Sequence, residues 1–230
     1  MKNFYLSVIV FLIFPGCSSV KVIRYPKLAD DIYANYNLIE YFRSNKNPKI
    51  VLRVPNSSDK VTSNTVTTQN NNLLYNAIEK ELLKEGFSVR DRGLFNEIMD
   101  KSKSTDYSKI GEETDTDLIL EVVSINPEVI YSTNKITLLN KNRSSLEVQP
   151  VDYKRSGASI EFRLILVKNN EIAGTYKYNY NPCPEDGCPI TDWTYNKRSK
   201  QLEIKETVAV NALEEFITRC TQDLIRSFRS

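Results

Sequence analysis

The sequence predicts a mixed α/β fold, a single domain in which helices pack against one mixed sheet. Three observations support this prediction. Runs of β-branched or alternating apolar residues have the length of strands, and longer segments between them carry apolar residues at helical spacing. The composition, with 40% hydrophobic and 26% charged residues, is ordinary for a globular chain. Interleaved helices and strands bury their apolar faces best when the helices are layered on a sheet.

The first half of the chain alternates helix and strand patterns. Apolar residues at helical spacing over 28–42 predict an amphipathic helix, which either packs on the domain or forms an arm that contacts a partner. Gly86 is placed to end the next helix. The predicted elements are a helix at 28–42, a strand at 50–54, a polar loop at 56–72, a helix at 74–85, a strand at 87–90 and a short helix at 94–99.

The second half predicts a central strand, a hairpin and a closing helix. Asn169 and Asn170 form a turn between two alternating runs, which is the strongest hairpin signal in the chain. Cys220 falls on the apolar stripe of the last helix and is expected in the core. The predicted elements are a strand at 118–125, a hairpin or extended loop at 126–157, strands at 160–166 and 172–180, and a helix at 208–228.

The amino terminus has the order of an export signal. Lys2 precedes an apolar run at 4–14, and Gly16 and Cys17 follow. As a helix this run reaches roughly 16 Å, about half of a bilayer core, so removal of the segment is predicted rather than a membrane span. The junction Gly16-Cys17-Ser18 resembles a bacterial lipobox and predicts lipidation of Cys17. Cleavage by an ordinary signal peptidase before a structural Cys17 is the alternative.

These boundaries divide the chain into three parts. Residues 1–16 are the predicted lipoprotein signal peptide, residues 17–47 the lipid anchor with an N-terminal helical arm, and residues 48–230 the α/β domain. Ser18, rather than Asp, follows Cys17, as is typical of sorting to the outer membrane. We therefore expect a lipid-anchored protein of the bacterial outer membrane, on the periplasmic side rather than the cell surface.

Two cysteines flank a turn-forming segment. Cys183 and Cys188 enclose Pro-Glu-Asp-Gly, and export would place them where disulfides persist, so a short disulfide-closed loop is predicted. A zinc site is disfavoured because Cys220 lies on a distant helix and the chain contains no histidine.

Composition and motifs argue against most enzyme chemistry. The absence of histidine removes the usual serine and cysteine triads and the commonest metal ligand. The net charge of +2 is too balanced for nucleic-acid binding, and the seven glycines form no Gly-x-Gly pair for a nucleotide. Carboxylates at 113, 115 and 117 lack the glycine of a calcium loop, since Leu118 stands in its place. We expect no catalytic residue, metal, cofactor or small-molecule substrate.

Several core segments resemble a known family. They are residues 74–82, Gly-Phe-Ser-Val-Arg-Asp-Arg-Gly-Leu at 86–94, Asn-Glu-Ile-Met at 96–99, Thr-Asp-Leu-Ile-Leu-Glu-Val at 116–122 and the hairpin turn at 167–174. This set resembles the curli secretion channel (CsgG) superfamily, which also holds lipoproteins similar to the activators (LpoB) of penicillin-binding proteins. The resemblance implies a CsgG/LpoB-type α/β domain with a lipid anchor and without catalytic residues.

Two functions follow from this resemblance. The preferred one is a non-catalytic envelope adaptor or assembly factor that binds an envelope protein partner or forms a self-oligomer. The alternative is a subunit of an oligomeric outer-membrane secretion channel, whose hairpins would lie at 126–157 and 178–204, although neither segment has one consistently apolar face. Aromatic residues on either side of the predicted disulfide loop are the candidate partner-binding surface: Tyr176, Tyr178, Tyr180, Trp193 and Tyr195. A covered sheet face is the other interpretation of the alternating tyrosines.

Overall fold

A computed structural model describes residues 20–54, 68–102, 106–140, 143–190, 194–198, 200–203 and 208–229. Within these residues one sheet carries helices on both faces, which confirms the predicted mixed α/β class. The helices are α1 Tyr36–Ser44, α2 Thr68–Lys84, α3 Arg92–Ser102, α4 Tyr107–Thr114 and α5 Val210–Arg229. The strands are β1 Val20–Ile23, β2 Asp31–Ala34, β3 Lys49–Arg53, β4 Ser88–Val89, β5 Leu118–Asn140, β6 Arg143–Leu166, β7 Glu171–Tyr180, β8 Cys188–Pro189, β9 Thr194–Asn196 and β10 Gln201–Glu203.

The long antiparallel hairpin β5–β6 organises the sheet. The main strand order is β2-β7-β6-β5-β1-β8, and β3 joins β4 to β5 through parallel pairs. Strand β5 changes its neighbour along its length, because β3 lies beside 118–121 and β1 lies beside 136–139. Register shifts in the hairpin between 122 and 135 let its two halves take different neighbours. The 126–157 segment is therefore a hairpin, one of its two predicted forms.

The larger core lies between the sheet and helices α1, α2 and α5. Strand residues such as Leu120 and Phe162 point into it, and the apolar stripe of α5 covers them. Phe42 of α1 stacks on Phe228 of α5 with 4.4 Å between ring centroids. Cys220 is buried on α5 as predicted, and burial raises the pKa of its thiol.

Glu81 is a buried carboxylate at the junction of α2 and α5. Gln222 donates to it at 2.9 Å, and Lys84 donates to its other oxygen at 2.5 Å. These hydrogen bonds to the charged form lower the pKa of Glu81, with the Gln222 bond as the largest cause. The carboxylate is therefore held ionised between two helices.

A smaller core occupies part of the opposite sheet face, under α3 and α4. Val51, Ile119 and Ile165 face Phe95 and Ile110 there. Helix α4 approaches closely at Gly111, where an added Cβ would lie 2.1 Å from Val167 Cγ1. The sequence did not predict α4, which begins after its N-cap Asp106 and ends at Asp115 in the left-handed conformation.

A third cluster stabilises the outer half of the hairpin. It joins β1, the 183–188 loop and the hairpin itself through these buried residues: Ile23, Tyr25, Tyr131, Ile136, Tyr153, Cys183 and Cys188. Gly157 permits this packing, since a Cβ there would lie 2.4 Å from the ring of Tyr131 and from the Tyr180 carbonyl oxygen. The outer half of the hairpin, which the described helices do not reach, is therefore packed against β1 and the 183–188 loop.

The chain before β3 differs from the sequence prediction. Residues 31–34 form a strand, and the helix over 28–42 is reduced to α1. The side chain of Asn35 accepts a hydrogen bond from the Leu38 amide at 3.0 Å and so sets the helix start at Tyr36. Because β1 and β2 are strands of the main sheet, residues 20–47 of the segment expected to be an arm are part of the domain.

Candidate functional site

The predicted partner-binding residues are not brought together on one surface. Tyr176 and Tyr178 are 1% and 4% exposed beneath α5, so their interpretation as a contact surface is wrong and the covered-face interpretation is confirmed for both. Burial raises the pKa of Tyr176 to about 12. Tyr180 is half-buried against Phe216, with ring centroids 5.4 Å apart, and Tyr195 is exposed on β9. Trp193 and the predicted lipidation site Cys17 lie outside the described residues.

The predicted disulfide is formed between Cys183 and Cys188. Its S–S distance is 2.05 Å, and both cysteines are buried in the cluster that packs on the hairpin. Gly187 takes a positive φ of 95° within the loop, a conformation that glycine adopts without strain. The loop continues into β8, which pairs with β1. The disulfide therefore stabilises the loop that leads into β8 and, with it, the sheet edge formed by β1 and β8.

A salt-bridge cluster lies on the sheet face that α3 and α4 cover only in part. Glu121 accepts from Arg53 Nη1 at 2.8 Å and from Arg163 Nη1 at 2.9 Å. Arg53 also donates to the hydroxyl of Tyr107 at 3.1 Å. Cross-strand register places these three charged residues side by side on β3, β5 and β6. Because the carboxylate is matched by two guanidinium groups, this cluster aligns strands and offers no free base.

Exposed apolar side chains lie on β2 and the segments beside it, at the sheet edge formed by that strand. We call this group the edge surface, and it comprises Leu28, Ile32, Tyr33, Tyr36 and Ile172. Their exposed fractions range from 43% to 67%. Ile32 pairs with Tyr176 and Tyr33 with Thr175, so the two side chains project from opposite faces of β2. Grouped exposed apolar residues of this kind are typical of protein interaction sites.

The backbone of β2 adds hydrogen-bonding groups to the edge surface. Within the described residues, β2 pairs with β7 alone and ends the main strand order. The backbone N–H of Asn35 donates to the Ala173 carbonyl oxygen at 2.8 Å. This bond shows which backbone groups of β2, alternating along the strand, point toward β7 and which point away from it. In an antiparallel ladder this alternation directs the N–H and C=O groups of Ile32 and Ala34 away from β7. They are available to an added strand.

Polar contacts hold β2 in place at both ends. Asp30 accepts from the Asn179 amide at 2.8 Å, and Asn179 Nδ2 donates to the Ala29 carbonyl oxygen at 2.8 Å. At the other end Asn37 donates to Glu171 at 2.9 Å. The edge is thus a preorganised strand rather than a loop that must order on binding. In the sequence, the indication of this strand was the apolar content of residues 28–36. The helical spacing of those residues predicted a helix instead.

The described residues contain no group of three or more histidine, cysteine, aspartate or glutamate side chains placed to hold a metal ion. None of the helices in the described part of the chain is both long and apolar enough to cross a membrane. The edge surface supplies main-chain groups for strand pairing and apolar side chains, which are a means of protein recognition.

Comparisons with known proteins give a weak structural similarity and no family. No family model matches the chain, and no curated protein matches it. Among solved structures it is similar to a dodecamer of a PelC variant from Paraburkholderia phytofirmans, with 7% sequence identity and a TM-score of 0.33 over 90% of this chain and 98% of that chain. A similarity at this level carries no argument about function. The resemblance to the curli secretion channel superfamily stays a prediction.

Proposed function

We propose that this protein is a lipid-anchored, non-catalytic adaptor of the bacterial envelope, which binds a protein partner by strand addition to β2. The observation that carries the proposal is an edge strand whose side chains Ile32 and Tyr33 are more than half exposed. An added strand would pair with the outward groups of Ile32 and Ala34, and its side chains would contact the edge surface. Tyr33 and Tyr36 are of the residue type that most often anchors an interface.

Sequence features support the envelope location. The export signal and the Gly16-Cys17 junction favour lipidation and attachment to the outer membrane, with the domain on the periplasmic side. A disulfide such as Cys183–Cys188 is stable in that compartment. The partner would then be an envelope protein or a second copy of this chain.

The secretion-channel alternative has less support. A membrane-inserted hairpin needs one consistently apolar face. On the returning strand β6, Ser144 shares a face with Leu146, while the other face carries Ser145 and Glu147. The described parts of the second candidate segment, 178–204, fall in the end of β7, the disulfide loop and the short β9–β10 pair. The adaptor is therefore the function that we propose.

Site-specific photo-crosslinking tests the edge surface directly. A photoreactive phenylalanine derivative replaces Tyr33 or Tyr36 in the full-length chain expressed in intact cells. Matched controls carry the same group at Leu83 on α2 or Leu94 on α3, which are also more than half exposed. We expect one discrete adduct from the two edge positions and none from the helical positions, because only a bound partner stays within reach of the probe.

The adduct mass separates the possible partners. A mass of two chains identifies a self-oligomer, and any other discrete mass identifies an envelope protein. No adduct at Tyr33 and Tyr36, or equal adducts at Leu83 and Leu94, would contradict strand addition to β2. The mass of the N-terminal peptide from the same cells reports lipidation of Cys17 independently.

A further inference from the structure

We propose that the end of the β5–β6 hairpin lies against the phospholipid bilayer beside the lipid anchor. The inference rests on the lipidation of Cys17 in the proposed function and assigns a second, membrane-facing surface. Its first support is the position of β1, which pairs with the last residues of β5 from Val20↔Leu139 to Ile23↔Ile136. Because β1 runs antiparallel to β5, its first residue lies at the hairpin end rather than over the sheet centre.

The distance from the anchor to the hairpin end is short. Three peptide units join Cys17 to Val20, and a fully extended chain covers about 11 Å over that span. A diacylglycerol on Cys17 inserts into the bilayer, so the bilayer surface comes within this distance of Val20 and its partner Leu139. An anchor at this position cannot hold the hairpin end far from the lipid.

Apolar side chains project from the hairpin end where the bilayer would be. We call Leu139, Leu146 and Val148 the tip face. Leu146 lies opposite Thr137 and Val148 opposite Lys135, so all three members of the tip face share one side of the hairpin. Leu146 and Val148 are 61% and 67% exposed, although Ile136 on the other side is buried in the cluster around the disulfide.

The tip face is remote from the edge surface. Tyr33 aligns across the sheet with Thr175, Arg163 and Glu121, and eighteen residues of β5 separate Glu121 from Leu139. At about 3.3 Å per residue this is roughly 60 Å along the strand. A bilayer contact at the tip would therefore leave β2 free for a protein partner, and the hairpin would act as a spacer.

Depth-dependent quenching in reconstituted vesicles tests the contact. The full-length chain, purified from the envelope, carries a genetically encoded environment-sensitive fluorescent amino acid in place of Leu146. A matched variant carries it in place of Ile130, which is similarly exposed but lies about 20 Å farther from the hairpin end. The vesicles contain phosphatidylethanolamine and phosphatidylglycerol, with a lipid quencher placed near the headgroups.

We expect a blue-shifted emission and at least about threefold stronger quenching at position 146 than at position 130, because interfacial apolar groups enter the bilayer by roughly 5–10 Å. Equal quenching at both positions, or none at 146 in protein that floats with the vesicles, would overturn the tip contact and leave lipid anchoring intact. Quenching at 146 in protein whose N-terminal peptide is unmodified would support the contact and refute the anchor. Protein that neither floats nor is quenched would overturn both.

Discussion

Replacement of Tyr33 by lysine should abolish most partner binding while leaving the fold intact. Tyr33 is 61% exposed on the outer strand, and an added strand would cover that surface. Full burial of a large side chain contributes about 1.5–3 kcal/mol, so the exposed part of Tyr33 is worth roughly 1–2 kcal/mol at an interface. This corresponds to about a five- to thirtyfold weaker affinity. Lysine is a common residue on edge strands, and the free energy of unfolding should change by less than about 0.5 kcal/mol.

The assay keeps a photoreactive residue fixed at position 36 and measures adduct yield against expression level in intact cells. With Tyr33→Lys, the expression level that gives half-maximal adduct yield should rise by the same factor as the loss of affinity. The control Leu83→Lys on α2, at 58% exposure, should leave that level unchanged. Thermal unfolding of both variants checks that they are folded. Superposed curves for Tyr33→Lys and the parent protein would refute the assignment of the edge surface, as would an equal displacement by Leu83→Lys.

Three further predictions concern stability. Replacing Cys183 and Cys188 together by serine should lower the free energy of unfolding by about 2 kcal/mol in guanidinium titrations, because the closed loop is short; an unchanged midpoint would contradict this. The pKa of Glu81 in the folded protein is lowered below its usual 4.5. Its contribution to the free energy of unfolding is therefore present above pH 4.5 and is lost as the pH falls through the folded-state pKa. Denaturation at pH 7 and pH 3 should show that Glu81→Gln is destabilising mainly at pH 7, and equal losses at both values would refute the linkage. Leu224→Ala, at a fully buried site on α5, should cost about 2–5 kcal/mol, against less than about 0.5 kcal/mol for Leu83→Ala.

The spacing of apolar residues in the local sequence was sufficient to predict the elements that bury one continuous face. The apolar stripe of 208–228 corresponds to α5 and the turn at Asn169 and Asn170 to the connection between β6 and β7, both near the predicted bounds. The alternation of 160–166 marks only the last part of β6, which begins much earlier, at Arg143. The disulfide could be predicted from the turn between its cysteines and the exported context. In each case the deciding interactions lie close together in sequence.

The edge strand could not be predicted in this way. Leu28, Ile32, Tyr36 and Ile39 fit helical spacing, yet Ile32 pairs with Tyr176 on a strand far away in sequence. Tertiary pairing overrides a local period when the partner strand offers a full set of hydrogen bonds. Asn35 was the available local signal, since an asparagine three residues before Leu38 is a common helix N-cap.

Sheet order decides which aromatic residues can reach a partner. Tyr176 and Tyr33 are both strand tyrosines, but α5 covers the face that carries Tyr176, and β2 is the last strand at its side of the sheet. Neither the coverage of that face by α5 nor the position of β2 in the sheet can be predicted from the local sequence. The predicted contact surface therefore included the core residues Tyr176 and Tyr178 and omitted Tyr33. The candidate site thus depends on topology more than on residue type.

Residue-resolved amide hydrogen exchange of β2 tests strand addition most directly. The measurement compares the isolated protein with the complex recovered through the position 36 adduct. We predict that the outward amides of Ile32 and Ala34 exchange quickly in the isolated protein and become strongly protected in the complex, while the inward amide of Tyr33 is protected in both. Unchanged exchange of Ile32 and Ala34 in the complex would contradict the central claim that a partner binds along this edge.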